Sequence, residues 1–147
     1  MRGCFFRAEA GVGGVLWTGG GEPTIWPPLP EAVRISAAHG MVNCLYTNGV
    51  RLALEPRLAT RLLEPTAMMI FVRISINAIE PTTIRKHWGV RDPDEISPQI
   101  DGLEQLYIAR ELHAEQYRSL NLPVPSIQVS TIVDTVNVDD LPLICGT

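Results

Sequence analysis

Three consecutive glycines, Gly19 to Gly21, run into Glu22 and Pro23 directly after the apolar stretch Val12–Thr18. Each glycine raises the entropy lost on folding. Three in one turn therefore call for positive φ at several positions, or for a group that approaches the backbone more closely than a side chain permits. Glu22 puts a carboxylate at the apex of that turn. A second polar cluster is "TNG", Thr47–Gly49, at the end of another apolar run. In "VRISIN", strand alternation puts Arg73, Ser75 and Asn77 on one face and Val72, Ile74 and Ile76 on the other. Burying such polar groups is costly unless something pairs with them. A fourth cluster comprises Ser130, Asp134 and Asn137.

Each cluster also has a plainer reading. A glycine-rich turn or a "TNG" serves as an ordinary connection, with Asn or Gly at positive φ. Arg73 pairs with an acid such as Glu55 or Glu80, or else with a ligand. His39, His87 and His113 are isolated and read as surface or helix-end residues, and Trp17 and Trp26 as packing.

The elements that must position these groups alternate. Val12–Thr18 reads as a buried strand. A helix opens at Pro27-Pro28 and runs to His39, with Gly40 as its αL terminator. Strand Val42–Tyr46, a short helix over Pro56–Leu63 and strand Ala67–Ile76 follow. Glu80-Pro81 starts a turn or helix that Gly89 ends, and Val90–Pro98 reads as a surface excursion. A long helix from Ile100 to Leu120 carries Leu103, Leu106, Tyr107, Ala114 and Tyr117 on one face. Strand Ser126–Val133 leads through "DTVNVDD" into a last helix, with Asp139 or Asp140 as its N-cap. This alternation predicts an α/β chain of βαβ units with a parallel sheet. In such sheets polar residues gather into sites at the carboxyl ends of the strands.

Composition narrows the function. The 147 residues fit one domain, 46% are hydrophobic and 19% charged, and the net charge is −4 with no Lys/Arg run. That balance argues against a nucleic-acid partner. The longest apolar window, Ala67–Val72, is too short to span a bilayer, and the N-terminus lacks a signal-peptide pattern. The expectation is a soluble, cytoplasmic protein. Cys4, Cys44 and Cys145 are scattered, with no disulfide framework and no zinc spacing. "GGGEP" has neither the GxGxxG spacing nor a P-loop lysine, which ranks an ordinary nucleotide-binding domain low.

Taken in order, "WTGGGEPTIWPPL", "GMVNCLYTNGVRL", "VRISINAIEPTTIRKHWG" and "IQVSTIVDTVNVDDLP" resemble the radical S-adenosylmethionine superfamily. The resemblance covers nearly the whole chain. It implies a partial, TIM-like barrel of six βα units, of which about four are present, matching the family's second through fifth strands. It implies that residues 1–147 form one incomplete domain of this kind. The family's Gly-Gly-Glu turn holds the amino group of S-adenosyl-L-methionine, a role that falls here on Gly20, Gly21 and Glu22. Ser75, Asn77 and Arg73 take the family's ribose and carboxylate contacts. Asn137 belongs to the segment beside the adenine, and Asn48 lies at the cofactor rim.

One family feature is missing. The [4Fe-4S] cluster is held there by a CxxxCxxC loop, and Cys4, Cys44 and Cys145 cannot make one. No metal ligand and no catalytic residue is assigned. The resemblance thus implies part of an enzyme that uses a 5′-deoxyadenosyl radical for hydrogen abstraction from an unknown substrate, inactive as this isolated chain. A missing chain would supply the first strand. The intact cofactor-side residues favour a fragment over a decayed paralogue. The alternative is a non-catalytic nucleoside-binding or interaction domain on the same fold. Bare parallel edges would favour association in isolation.

Overall fold

Four parallel strands lie side by side in the order in which the chain makes them, β1-β2-β3-β4. They are β1 (Gly14–Trp17), β2 (Val42–Thr47), β3 (Met69–Ser75) and β4 (Ser126–Ser130). The computed structural model describes residues 11–88 and 98–145. The expected terminator Gly89, most of the excursion over residues 90–98, and Cys4 lie outside the described residues.

Helices fill every connection: α1 (Leu29–Ala38), α2 (Val50–Leu54), α3 (Pro56–Leu62), α4 (Pro81–Trp88) and α5 (Pro98–Ser119), with α6 (Leu141–Cys145) after β4. Parallel crossovers share one hand, so a sheet that never reverses its strand order receives its helices on one face. The burial pattern agrees. Leu45, Val72 and Ile74 are sealed in a core with Leu29 and Val33 of α1, Leu52 of α2, Leu58 and Leu62 of α3, and Leu106 and Ala109 of α5. The opposite face carries Leu16, Cys44, Tyr46, Phe71, Arg73, Ser75, Gln128 and Ser130, none of them fully buried. The α/β class, the parallel sheet and the division of β3 into a polar and an apolar face match the sequence reading.

Asn43 pins the amino-terminal end of this arrangement. Its Oδ1 accepts from Trp17 Nε1 at 2.8 Å and Ser36 Oγ at 2.5 Å, while its Nδ2 donates to the carbonyls of Val33 at 3.2 Å and Ala67 at 2.8 Å. A buried amide with all its partners rigidifies what it joins. It joins β1, α1, β2 and the turn before β3, so Trp17 does more than pack.

Several boundaries differ from expectation for local reasons. β3 begins at Met69 because Met68 takes a left-handed conformation (φ 46°) after a 3₁₀ turn over Pro65–Ala67. β1 and β4 are shorter than read, and the helix Val50–Leu54 was not expected. On α5 the buried stripe is Gly102, Leu106, Ala109, His113 and Tyr117, while Tyr107 faces solvent at 49% exposure. His113 is therefore buried, not a surface residue. Gly102 allows the helix to touch backbone: a Cβ there would sit 2.2 Å from the Gly49 carbonyl oxygen. Gly49 in turn has φ +78°, and a Cβ on it would sit 2.3 Å from Ile74 Cδ1.

Candidate functional site

At the carboxyl end of β1 the chain turns sharply through the glycines. Gly19 adopts φ +129°, and the Gly21 N–H closes the bend by donating to the Gly19 carbonyl at 2.7 Å. Gly20 and Gly21 have no positive φ. A Cβ added to either would meet nothing within 4 Å. Their carbonyls accept no hydrogen bond among the described residues. Only the first of the three glycines is thus required by the chain's own conformation. The other two leave open space beside unpaired acceptors.

Glu22 behaves differently. It occupies the cap position of a 3₁₀ turn over Pro23–Ile25. Its Oε1 accepts from Thr24 N at 3.0 Å, Thr24 Oγ1 at 2.6 Å and Thr47 Oγ1 at 2.6 Å, and its Oε2 accepts from Asn48 N at 2.6 Å. The carboxylate therefore ties the glycine turn to the end of β2. Thr47 Oγ1 also accepts from Gly49 N at 3.0 Å, and Asn48 Oδ1 accepts from Val50 N at 3.1 Å to start α2. The protein's own donors thus engage both oxygens of Glu22, three on Oε1 and one on Oε2.

Two adjoining hollows flank this clamp. One, of about 340 Å³, is lined by Thr18, Gly21, Glu22, Pro23, Tyr46, Thr47, Asn48 and Ser75. The other, of about 260 Å³, lies between the glycines and Trp17, Trp26 and Leu29. They share Thr18, Gly21, Glu22 and Pro23, so they form one groove astride the turn. The groove opens where parallel α/β sheets place their ligands, beyond the carboxyl ends of the strands.

The structure thus gathers Gly21, Glu22, Asn48 and Ser75 around one hollow, with Gly20 lining its neighbour. Arg73 points to the same side of the sheet as Ser75 but lies deeper and does not line the groove. It pairs with neither Glu55 nor Glu80: its Nε and Nη2 donate to Gln128 Oε1, and its Nη1 donates to Tyr46 Oη. Glu55 is held by Arg51 instead. Asn77 Oδ1 accepts from Ile132 N at 3.1 Å. Asn137 is fully buried, donating to the Asn77 and Ile132 carbonyls at 2.7 Å each and accepting from Asp134 N at 2.8 Å. Asn77 and Asn137 therefore splint the end of β3 to the loop after β4, and Asn137 does not reach the groove.

Asp140 does not serve as a simple cap for the helix that follows it. Its carboxylate turns back across the fold, accepting from Ile79 N and Glu80 N at 3.1 Å each and from Thr83 Oγ1 at 3.0 Å. It thereby caps the start of α4. Cys44 lies half-buried on the open sheet face, where burial pushes its thiol pKa up, while Cys145 is exposed. Among the described residues no three His, Cys, Asp or Glu side chains converge in a way that could hold a metal ion. No described helix is long and apolar enough to cross a membrane.

The sequence reading did not single out Tyr46 or Gln128. Both reach Arg73 through register, since Tyr46 pairs with Arg73 and Arg73 with Gln128 across the ladder. Alternation within one strand gives no register, so no local signal marked them. No protein-family profile matches the chain, and a comparison with curated proteins finds no significant match.

Proposed function

We propose that this chain is the cofactor-binding portion of a radical S-adenosylmethionine enzyme, holding the nucleoside in the groove at the carboxyl edge of its sheet. On this reading the four strands are consecutive units of a six-unit partial barrel. The sequential strand order supports that assignment, because a barrel wall is wound in one direction without a reversal. The observation that carries the proposal is the state of Gly20 and Gly21. They have no positive φ, empty space where side chains would stand, a place in the groove lining, and carbonyls without a hydrogen-bond partner among the described residues. Nothing in the chain's own packing requires glycine at either position, and a ligand's ammonium supplies the reason.

The residues present fit the nucleoside. The Gly20 and Gly21 carbonyls would accept from its ammonium, and Ser75 and Asn48 offer hydroxyl and amide groups at the opposite wall. When bound beside a reducing cluster, S-adenosylmethionine supplies the 5′-deoxyadenosyl radical. This chain's residues orient the nucleoside and shield it from water. The described residues do not fit a [4Fe-4S] cluster, since no three His, Cys, Asp or Glu side chains converge among them. That misfit favours, as the second reading, a nucleoside-binding or interaction domain without redox chemistry.

Calorimetry tests the groove. The chain is expected to bind S-adenosylmethionine and S-adenosylhomocysteine. Gly21→Ala should weaken both at least tenfold, while its melting temperature stays level or rises, since removing a glycine that has no positive φ adds about 0.4–1 kcal/mol of stability. Equal binding by Gly21→Ala would remove the proposal. Under anaerobic reconstitution the isolated chain should release no 5′-deoxyadenosine; its appearance would overturn that expectation and discard the second reading as well.

A further inference from the structure

Arg73 is a half-buried cation whose hydrogen-bond and ring partners among the described residues are all neutral. Its Nε and Nη2 donate to Gln128 Oε1 at 3.2 and 3.0 Å, and its Nη1 donates to Tyr46 Oη at 2.9 Å. The guanidinium carbon stands 4.7 Å from the Tyr46 ring centre and 5.8 Å from that of Phe71. Among the described residues it takes part in no ion pair. A long cationic side chain ordinarily carries its head out to water. Here an amide, a phenol and two rings hold the head down on the sheet. Fixing a charge on a partly desolvated surface without a counter-ion is unfavourable. Such preorganisation is useful when a ligand brings the counter-charge.

The geometry also limits that ligand. Guanidinium has five N–H donors, of which the chain uses three, leaving two. Two coplanar donors and one positive charge match a carboxylate, which is planar, carries one negative charge and accepts through two oxygens. A tetrahedral phosphate dianion would leave a charge uncompensated against the flanking rings.

The position separates this group from the nucleoside groove. Arg73 precedes Ser75 by two residues on β3, about 6.6 Å along the strand, and Ser75, not Arg73, lines the groove. Tyr46 is the common wall, lining the groove while bonding Arg73. We propose that Arg73, fixed by Gln128 and Tyr46, is the receptor for the carboxylate of a second small molecule seated on the open face of the sheet beneath the groove. That this molecule is the substrate of the reaction rests on the function proposed above; the carboxylate site itself does not.

The test follows the arginine Nε–H resonances of the full ¹⁵N-labelled chain during titration with sodium acetate, and with sodium chloride at matched ionic strength. The Arg73 signal, identified by its loss in Arg73→Lys, should move saturably with acetate and not with chloride. Gln128→Glu places a carboxylate in register beside Arg73 and should weaken the acetate response at least tenfold in a folded, no less stable protein. Gly21→Ala should leave that response within twofold of the wild type. Acetate and chloride acting alike, an undiminished response in Gln128→Glu, or loss of the response in Gly21→Ala would each overturn the assignment. So would inorganic phosphate saturating the signal at lower concentration than acetate. An intact acetate response with no nucleoside binding would remove the proposed function and leave this site standing.

Discussion

Replacing Glu22 tests what the carboxylate does, and the structure supplies the scale. Four donors converge on it: the N–H groups of Thr24 and Asn48 and the hydroxyls of Thr24 and Thr47. In Glu22→Ala the two hydroxyls are free to rotate toward other acceptors. The two N–H groups are fixed by backbone and are left without an acceptor. An unsatisfied, partly buried donor costs about 1–3 kcal/mol, and hydration from the groove keeps each near the lower half of that range. The expected loss is therefore about 2–4 kcal/mol. For a chain of this length that lowers the melting temperature by about 6–14 °C. Glu22→Gln keeps one oxygen for the cluster around Oε1 but turns an NH₂ toward the Asn48 N–H, so it should lose about 1–2 kcal/mol. Urea unfolding followed by far-ultraviolet circular dichroism measures both. An Ala variant within 0.5 kcal/mol of the wild type, or a Gln variant less stable than Ala, would refute the clamp. Loss of nucleoside binding in Glu22→Ala would consequently report on folding as much as on the groove, which is why Gly21→Ala is the cleaner probe.

Other expected outcomes concern the frame behind the groove. Gly102→Ala drives a methyl group into the Gly49 backbone and forces α5 away from the start of α2, so it should cost about 2–3 kcal/mol in urea unfolding. Asp140→Ala leaves three donors at the start of α4 without their acceptor and should destabilise by about 2 kcal/mol, with hydrogen exchange faster at Ile79 and Glu80. Tyr117, whose hydroxyl donates to the Glu64 carbonyl, has its pKa pushed up to about 12 by burial. The folded state then holds this proton more tightly than the unfolded state. Its contribution to stability is full below about pH 10 and is lost as pH rises toward 12. Absorbance at 295 nm should accordingly show one tyrosine titrating last, and Tyr117→Phe should remove that late step.

What the sequence disclosed follows from how far each signal reaches along the chain. Alternation in "VRISIN" is local, and it put Arg73 and Ser75 on one face and Ile74 on the other, as the structure has them. Gly40 after α1 was legible for the same reason, having φ +75° where a left-handed terminator belongs. The helix Val50–Leu54 escaped because five residues hold too little periodicity, and because its start is set by the Asn48 side chain and by a glycine that α5 presses on. Partners far apart in sequence were invisible. Gln128 lies 55 residues from Arg73, and Asp140 lies 61 from Ile79. Nothing in "DTVNVDD" states that one carboxylate will cap a distant helix or that Asn137 will be spent on loop carbonyls.

The glycine turn shows how one motif divides its work. The family resemblance gives the cation-holding role to Gly20, Gly21 and Glu22 together. The geometry assigns the bend to Gly19 and the tie to Glu22, leaving Gly20 and Gly21 as the positions that no internal contact requires. Glu22 nevertheless has no ion-pair partner among the described residues. All four of its donors are neutral. Coulomb attraction does not need a free lone pair. Under the proposed function, a carboxylate that is hydrogen-bonded but not ion-paired would draw the nucleoside's ammonium into the groove, while the adjacent carbonyls would provide the acceptors. Thr47 and Asn48 hold that carboxylate in place and so contribute to the site without lending it their own chemistry.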